Sequence, residues 1–560
     1  MVKKSIKKLL VGLAAVSAVN VYGSSTGGEA FSTSKNYFQP RAFSANLARE
    51  MLMEADQRHR DSEGWYGEFS ATGAYQRSWT SENNVNSGSG SLSTNADVNA
   101  GYGLGSFPFW SGTNTMSVSS STYQIAHPST SFNVDGYQFG LGQVTAPGSI
   151  TLNPLVYQAG ADFMFIVGSS ANEPCFFAKI KAPVGVYNIN PQLTEVQATP
   201  AATYAAGELS LSTSTVAAPA ATMTQALAGN LPGGETASGD FVPMQYGLIN
   251  GDVSTGAKFG DIEMTAGYRF ISNHDNSFSV AVRAAAPTGG EATGVYMLEP
   301  IFGRGGNWGL GGYIDGHVKL WEGNNENCFV MRFMANAMHL FNADTVRSYD
   351  LIANGVGSKY LLAANYSGGS YQGVIGNLIN YTTLASTSSF GVEGDAAITF
   401  AYCGRGWSWD LGYEFWGRSA ETLTITGDFA NQVYAVLGNQ GPGVVGGAAA
   451  SLACQPLAQI YTASTPQVSS PATVNTFPTT QGEVVLATAQ VNRVALDQLN
   501  VAAAQQSTSL TSKVFTKLTY EWIDSNYCPH LGVMGEFEFS TSQNNALPQW
   551  GVSLIGGVSF

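Results

Sequence analysis

The chain has 560 residues, 11% of them charged against roughly 25% in an average soluble domain, and a formal net charge of −14. Its hydrophobic fraction is 44% and its mean hydropathy −0.01, yet outside the N-terminus no run approaches the roughly 20 apolar residues that a spanning helix needs. This argues against helical spans, and the acidic balance argues against a nucleic-acid partner, which requires clustered Lys and Arg. The 65 Gly, 25 Tyr and 29 Phe suit strands, tight turns and membrane-interface belts.

Residues 1–23 read as a signal peptide: Lys3, Lys4, Lys7 and Lys8 precede an apolar stretch from Leu9 to Val19, with cleavage expected after Ala18 or Gly23. Removing the four lysines leaves 21 basic and 39 acidic residues, a net charge of −18. Within the segment 24–62, Ser44 is a candidate cap for a short helix in which Leu47, Met51, Leu52 and Ala55 share one face, opposite Arg49, Glu50 and Asp56. Such a segment either plugs a lumen or folds against a rim, and the pattern leaves both open.

From residue 63 onward the apolar residues recur at period two. Trp65, Gly67, Phe69, Ala71, Gly73 and Tyr75 oppose Glu68, Ser70, Thr72 and Gln76; Met264 and Tyr268 oppose Glu263 and Arg269; Phe390, Val392, Ala396 and Phe400 oppose Glu393, Asp395 and Thr399. The alternation predicts an all-β, antiparallel up-and-down barrel across 63–560 of about 14 strands, with 12 to 16 in range. Their ranges are 64–80, 92–107, 115–126, 155–168, 175–187, 257–272, 277–287, 305–321, 327–341, 389–403, 407–420, 513–525, 530–542 and 549–560. Short turns at 108–114, 169–174, 273–276, 322–327, 404–406 and 526–529 alternate with connections at 127–154, 188–256, 288–304, 342–388 and 421–512. In a membrane barrel the short ones are periplasmic and the long ones external. Residues 359–384 have room for one more hairpin.

The inward positions carry most of the charge. Lys179, Lys181, Arg269, Arg283, Lys319 and Arg332 form a basic wall against Asp261, Glu263 and Asp315. Glu393, Asp395, Asp410, Glu414, Glu521, Glu536 and Glu538 form an acidic wall against Arg418, Lys513 and Lys517. Opposed rows of charge across an aqueous pore set up a transverse field and bias ion selectivity, so these residues are the expected pore lining.

Chemistry of other kinds has little support. Gly23 to Gly27 fits G-x-S-x-G at the leader junction, and Gly441, Gly443 and Gly446 fit G-x-G-x-x-G without a flanking strand and helix. His274 and Asp275 lie in a short turn. No enzyme activity, cofactor or metal is expected. Five cysteines at 175, 328, 403, 454 and 528 lack C-x-x-C spacing, and an odd number leaves at least one unpaired within the chain.

In the last 11 residues Trp550, Val552, Leu554, Gly556, Val558 and Phe560 make one face, broken only by Ile555 on the other. The segment resembles the C-terminal strand of bacterial outer-membrane proteins, which ends in an aromatic residue read by the barrel-assembly machinery. That resemblance makes Trp550, Val552, Leu554, Val558 and Phe560 the expected assembly signal. It implies an outer-membrane location with both termini periplasmic and lipid as a partner. General porins have such charged lumens, which implies passive diffusion of small hydrophilic solutes and ions, with a homotrimer open. Long-chain fatty-acid transporters also resemble the chain in strand number and an N-terminal hatch, and they imply a hydrophobic substrate. A structural or adhesive surface protein anchored by its barrel is the third class.

Overall fold

The alternation closes on itself. Twelve strands follow in chain order: β1 (Tyr66–Ser78), β2 (Leu155–Gly168), β3 (Cys175–Asn190), β4 (Ile262–Ser272), β5 (Asn276–Ala286), β6 (Gly309–Glu322), β7 (Cys328–Ser348), β8 (Thr383–Gly404), β9 (Trp407–Arg418), β10 (Ser509–Glu521), β11 (His530–Ser540) and β12 (Gln549–Ser559). Each pairs antiparallel with its neighbours in sequence, and β12 returns to β1 from Glu68 opposite Ser559 to Ser78 opposite Gln549. The computed structural model describes residues 39, 41–54, 64–78, 115–119, 133–142, 144–152, 154–170, 173–204, 209–210, 214–230, 240–323, 327–355, 357–367, 370–437, 460, 493–523, 525, 527–540 and 549–560.

Period two decides what each face meets. Glu68, Ser70 and Thr72 of β1 are fully buried inside the ring, whereas Phe69 between them is 45% exposed outside it. Outward Met264, Val280, Val282, Leu310, Ile314, Val392, Phe400, Val552 and Leu554 continue the apolar outer band. Aromatic rings gather on its outside near the short turns: Phe176 meets Tyr268 at 4.9 Å, and Tyr520 meets Trp407 and Trp522, each at 4.8 Å.

The turns 169–174, 273–275, 323–327, 405–406 and 522–529 fall at one end of the ring, and the long connections 79–154, 191–261, 287–308, 349–382 and 419–508 fall at the other, with the shorter link 541–548. Local chemistry builds the turns. Arg405 and Gly406, with φ of 51° and 80°, form the two-residue link of the β8–β9 hairpin, a geometry that needs positive φ at both central positions. In the β4–β5 turn the Asn273 side chain accepts from the amides of Asp275 and Asn276 at 3.0 and 2.8 Å.

The described ring closes with 12 strands, the lower end of the expected range of 12 to 16. Residues 92–107 lie outside the described residues, as do the leader, most of 24–62, the turn at 108–114, the glycine motif at 441–446 and Cys454. Thr115–Ser119 is a strand, but it pairs with Asn133–Asp135 and Gly148–Thr151 in a small separate sheet, so β1 is joined directly to β2. The hairpin within 359–384 exists as Leu362–Ser367 and Ser370–Asn377. It joins Phe241–Val242 and Tyr434–Val436 in another small sheet rather than widening the ring. Phe390 also departs from its expected outward face. Register shifts between Met338 and Ala343 turn it inward, where it is buried with the Arg418 guanidinium 4.5 Å from its ring centre.

The long connections thus build a cap with apolar cores of its own. Val134, Phe139, Leu141, Ile150, Met223, Leu227, Tyr360 and Ile379 belong to one cluster. A further cluster joins Tyr204, Phe241, Leu362, Tyr366 and Ile375.

Candidate functional site

The interior of the ring is occupied by the segment from Gln39 to Glu54 and its helix α1 (Leu47–Met53), all seven residues of which are buried. Asn46, not Ser44, is the N-cap: its side chain accepts from the Arg49 amide at 3.0 Å. Leu47, Ala48, Met51, Leu52 and Met53 pack with inward Met164, Phe177, Tyr313, Phe515, Met534 and Ile555. The contacts of α1 reach β1, β7, β8, β9, β10, β11 and β12. Only a segment inside the ring touches so many of its strands. Ala55 and Asp56 lie outside the described residues.

Charge fixes the orientation of this plug. Arg41 meets the acidic wall, bonding Glu538 at 3.0 Å, Asp395 at 3.3 Å and Glu414 as well, whereas Arg49 bonds Asp162 of β2, outside that wall, at 2.5 Å. Its anions meet the basic wall: Glu50 accepts from Arg283 at 2.5 Å and Lys181 at 2.9 Å, and Glu54 pairs with Lys179. The helix ends follow suit, with the Leu47 and Ala48 amides donating to Glu414 at 3.3 and 3.2 Å and Lys517 donating to the Met51 carbonyl at 2.9 Å. Burial raises the Glu50 carboxyl, but Arg283, Lys181 and Lys179 outweigh it and hold the group at about 2.

A loop residue completes the layer. Arg304, between β5 and β6, bonds Glu263 and Glu393 at 2.7 Å each, and its amide donates to Asp261 at 2.7 Å. Burial pushes the Asp261 carboxyl up to about 6 against the pull of Arg304 and the Gly289 amide.

Of the residues expected to line a pore, Lys179, Lys181, Arg269, Arg283, Glu393, Asp395, Asp410, Glu414, Glu521, Glu536 and Glu538 are buried inside the ring. At the level of Lys181, Arg283, Asp395 and Glu414 that interior holds the plug. Arg269 lies 3.2 Å from the Tyr66 hydroxyl, and Lys513 pairs with Glu536 at 3.1 Å. Lys319 sits near the short turns, paired with Asp275 and, at 2.7 Å, with Glu322. Arg332 shares the inner parity of β7 and is partly exposed. Trp550, Val552, Leu554, Val558 and Phe560 lie along the outer side of β12, and Ile555 is buried on the inner side.

Sequence reasoning missed Arg41, Glu54, Arg304 and Asp162. The first three lie outside strands, so no face parity marks them, and their only signal is charge in a chain that uses little of it; Asp162 lies in a strand expected at 155–168, where its inward parity is available.

Towards the cap the plug presents the apolar ring of Phe43 beside Gln39, whose side chain donates to the Gly303 carbonyl at 3.2 Å. Phe43 stacks on Phe302 at 5.5 Å, tilted by 32°, and both belong to the cluster that holds Phe139, Leu141 and Tyr360 of the cap. The plug thus meets the cap through the apolar side chain of Phe43 and the barrel wall through ion pairs.

No family model and no curated protein matches the chain. Among solved structures, an outer-membrane channel from Pseudomonas putida F1 is 9% identical, covering 88% of this chain and 96% of its own, with a TM-score of 0.33. The Pseudomonas putida toluene transporter TodX is 8% identical over 95% of this chain and 96% of its own, with a TM-score of 0.32. A Pseudomonas aeruginosa FadL homologue is 8% identical over 89% and 90%, with a TM-score of 0.25.

Proposed function

We propose that this chain is a bacterial outer-membrane channel, closed at rest by its own N-terminal segment, whose solutes are small and apolar. Membrane insertion is supported by the closed ring, which leaves no unpaired edge in hydrocarbon, and by the apolar outer band with aromatics gathered near the short turns. With the short turns in the periplasm, both termini are periplasmic and the cap faces outward.

The observation that carries the solute class is the continuity of the cap cluster with Phe43 of the plug. A solute that reaches the contact between cap and plug meets the apolar side chains of Phe43, Phe302, Phe139 and Leu141 there. A sugar or amino acid would lose hydration there at roughly 2–7 kcal/mol per unpaired polar group, whereas an apolar solute gains about 25 cal/mol for each Å² it buries. The hydrophilic porin, the leading expectation from alternation and charge, ranks second because at the level of Lys181, Arg283 and Glu414 the lumen holds a plug, and the wall charges pair with it and with neighbouring wall residues.

Proteoliposomes of the full-length protein separate the readings. An apolar fluorescent probe trapped outside should enter protein-containing vesicles faster than empty ones, while swelling in a pentose or hexose should stay at background. Rapid sugar swelling without probe entry would install the porin reading. Neither activity, in protein shown to be folded, would leave the barrel as an anchor for its cap.

A further inference from the structure

Cys328 opens β7, Cys403 is the penultimate residue of β8, and the two stand directly opposite each other in the register. Opposed Cα atoms in an antiparallel pair lie about 4.5 or 5.5 Å apart. Both values fall inside the window of roughly 4.4–6.8 Å that a disulfide spans without backbone movement. The side chains share the inner face, where both are buried and form a small cluster with Val330 and Ala401. Cys175 is placed differently, opposite Arg269, and Cys528 sits in a turn with its thiol donating to the Ser525 carbonyl at 3.3 Å.

We propose that Cys328 and Cys403 are joined by a disulfide in the mature protein; this rests on the export reading above, since such bonds persist in oxidising compartments. The oxidant is a disulfide-bearing protein of the periplasm. One cysteine thiolate attacks that disulfide, forming a mixed disulfide and expelling the oxidant's second sulfur as a thiolate. The other cysteine then attacks the mixed disulfide, which makes the Cys328–Cys403 bond and releases the oxidant as a dithiol. Two electrons and two protons leave the chain. Because both sulfurs are buried once the ring closes, the bond forms before or during barrel closure.

Its position gives it a purpose. From Cys328 to Met338 the β7–β8 register is unbroken, and beyond Met338 it slips. The bond clamps the regular end of this pair beside the short turns, while the irregular end carries the chain into the cap.

The test uses full-length protein taken from outer-membrane fractions. It is denatured in the presence of an alkylating reagent, so that burial does not protect thiols, and analysed with and without prior reduction. Of the five cysteines, three should be labelled without reductant and five with it. A peptide containing Cys328 should be linked to one containing Cys403, and the Cys328→Ser variant should expose one additional thiol. Five labels without reductant, or a linkage between a different pair, would overturn the proposal. Absence of the protein from the outer-membrane fraction would instead overturn the export reading on which it rests.

Discussion

Glu50 of the plug helix and Arg283 of β5 meet at 2.5 Å although 233 positions separate them in the chain. Lys181 shares the same carboxylate oxygen at 2.9 Å, and Glu263 bridges Lys181 and Arg283 from the wall at 2.9 and 2.7 Å. This four-residue knot is where the plug is tied to the basic wall. Removing one partner of such a buried set leaves a charge without compensation, at a cost of about 3–5 kcal/mol.

Glu50→Gln should therefore weaken plug docking by about 3 kcal/mol. In planar bilayers the wild-type protein should be mostly closed, and the variant should show frequent openings. Arg283→Gln should act in the same direction, and the double variant should open less than the two single effects combined, because both act on one interaction. Variants as silent as the parent would show that these contacts do not hold the gate.

Deleting residues 39–54 should leave an aqueous lumen with its two charged walls bare. Wall charges act on passing ions within a Debye length of about 10 Å at 0.1 M salt. The opened barrel should favour cations modestly. In that background Arg283→Gln should strengthen the preference and Glu393→Gln should weaken it, so reversal potentials under a salt gradient should move in opposite directions. A reversal potential that ignores both changes would mean that the walls do not govern permeation.

Neighbours on β12 should fail in different ways. Ile555 is buried inward in the cluster that contains Leu52, whereas Leu554 is 64% exposed outward. Ile555→Ala should assemble normally but lower the stability of the plugged state by about 2–5 kcal/mol, read from urea unfolding in detergent. Leu554→Asp should instead reduce the yield of membrane-inserted protein. The reverse assignment would mean that the two faces are exchanged.

Phe560 exchanges backbone hydrogen bonds with Gly67, accepting at 2.6 Å and donating at 2.8 Å, and a Cβ on Gly67 would fall 2.6 Å from the Phe560 ring. Deleting Phe560 should therefore lower outer-membrane yield more than removing one residue from the connection between β9 and β10. Gly67→Val should lower it too by displacing the ring. Pulse-chase fractionation would reveal equal yields if this end of β12 has no part in assembly.

Two carboxyls give opposite responses to pH. Glu50 is depressed from 4.5 to about 2, so its contribution is complete above 4.5 and disappears as pH falls through about 2. Asp261 is raised from 3.8 to about 6, so the folded state binds the extra proton and stability declines as pH climbs from 3.8 to about 6. Asp261→Asn should flatten the decline between pH 4 and 6, roughly the interval separating its unfolded and folded values, and Glu50→Gln should flatten the acid limb. Unfolding midpoints across pH 2 to 8, about the span of both titrations, check both signs.

Ring-forming strands were legible because period two is a local property: Phe69 against Glu68 and Leu554 against Ser553 reveal two solvents without any knowledge of partners. The same periodicity found nearly all the inward charges and the alternation of short and long connections. It could not tell that Thr115–Ser119 pairs with loop strands instead of the wall, since a short alternating run satisfies either sheet. Nor could it say what fills the lumen. The amphipathic pattern of α1 fits plug and rim equally, and Ile555 reads only as a break in the last strand without its cluster partner Leu52. Contacts such as Arg41 with Glu538, 497 positions apart, depend on where barrel closure brings two distant segments together. Secondary structure and facing were thus set by neighbouring residues, whereas the closed gate arises from charge complementarity that exists only once the wall has been built around the plug.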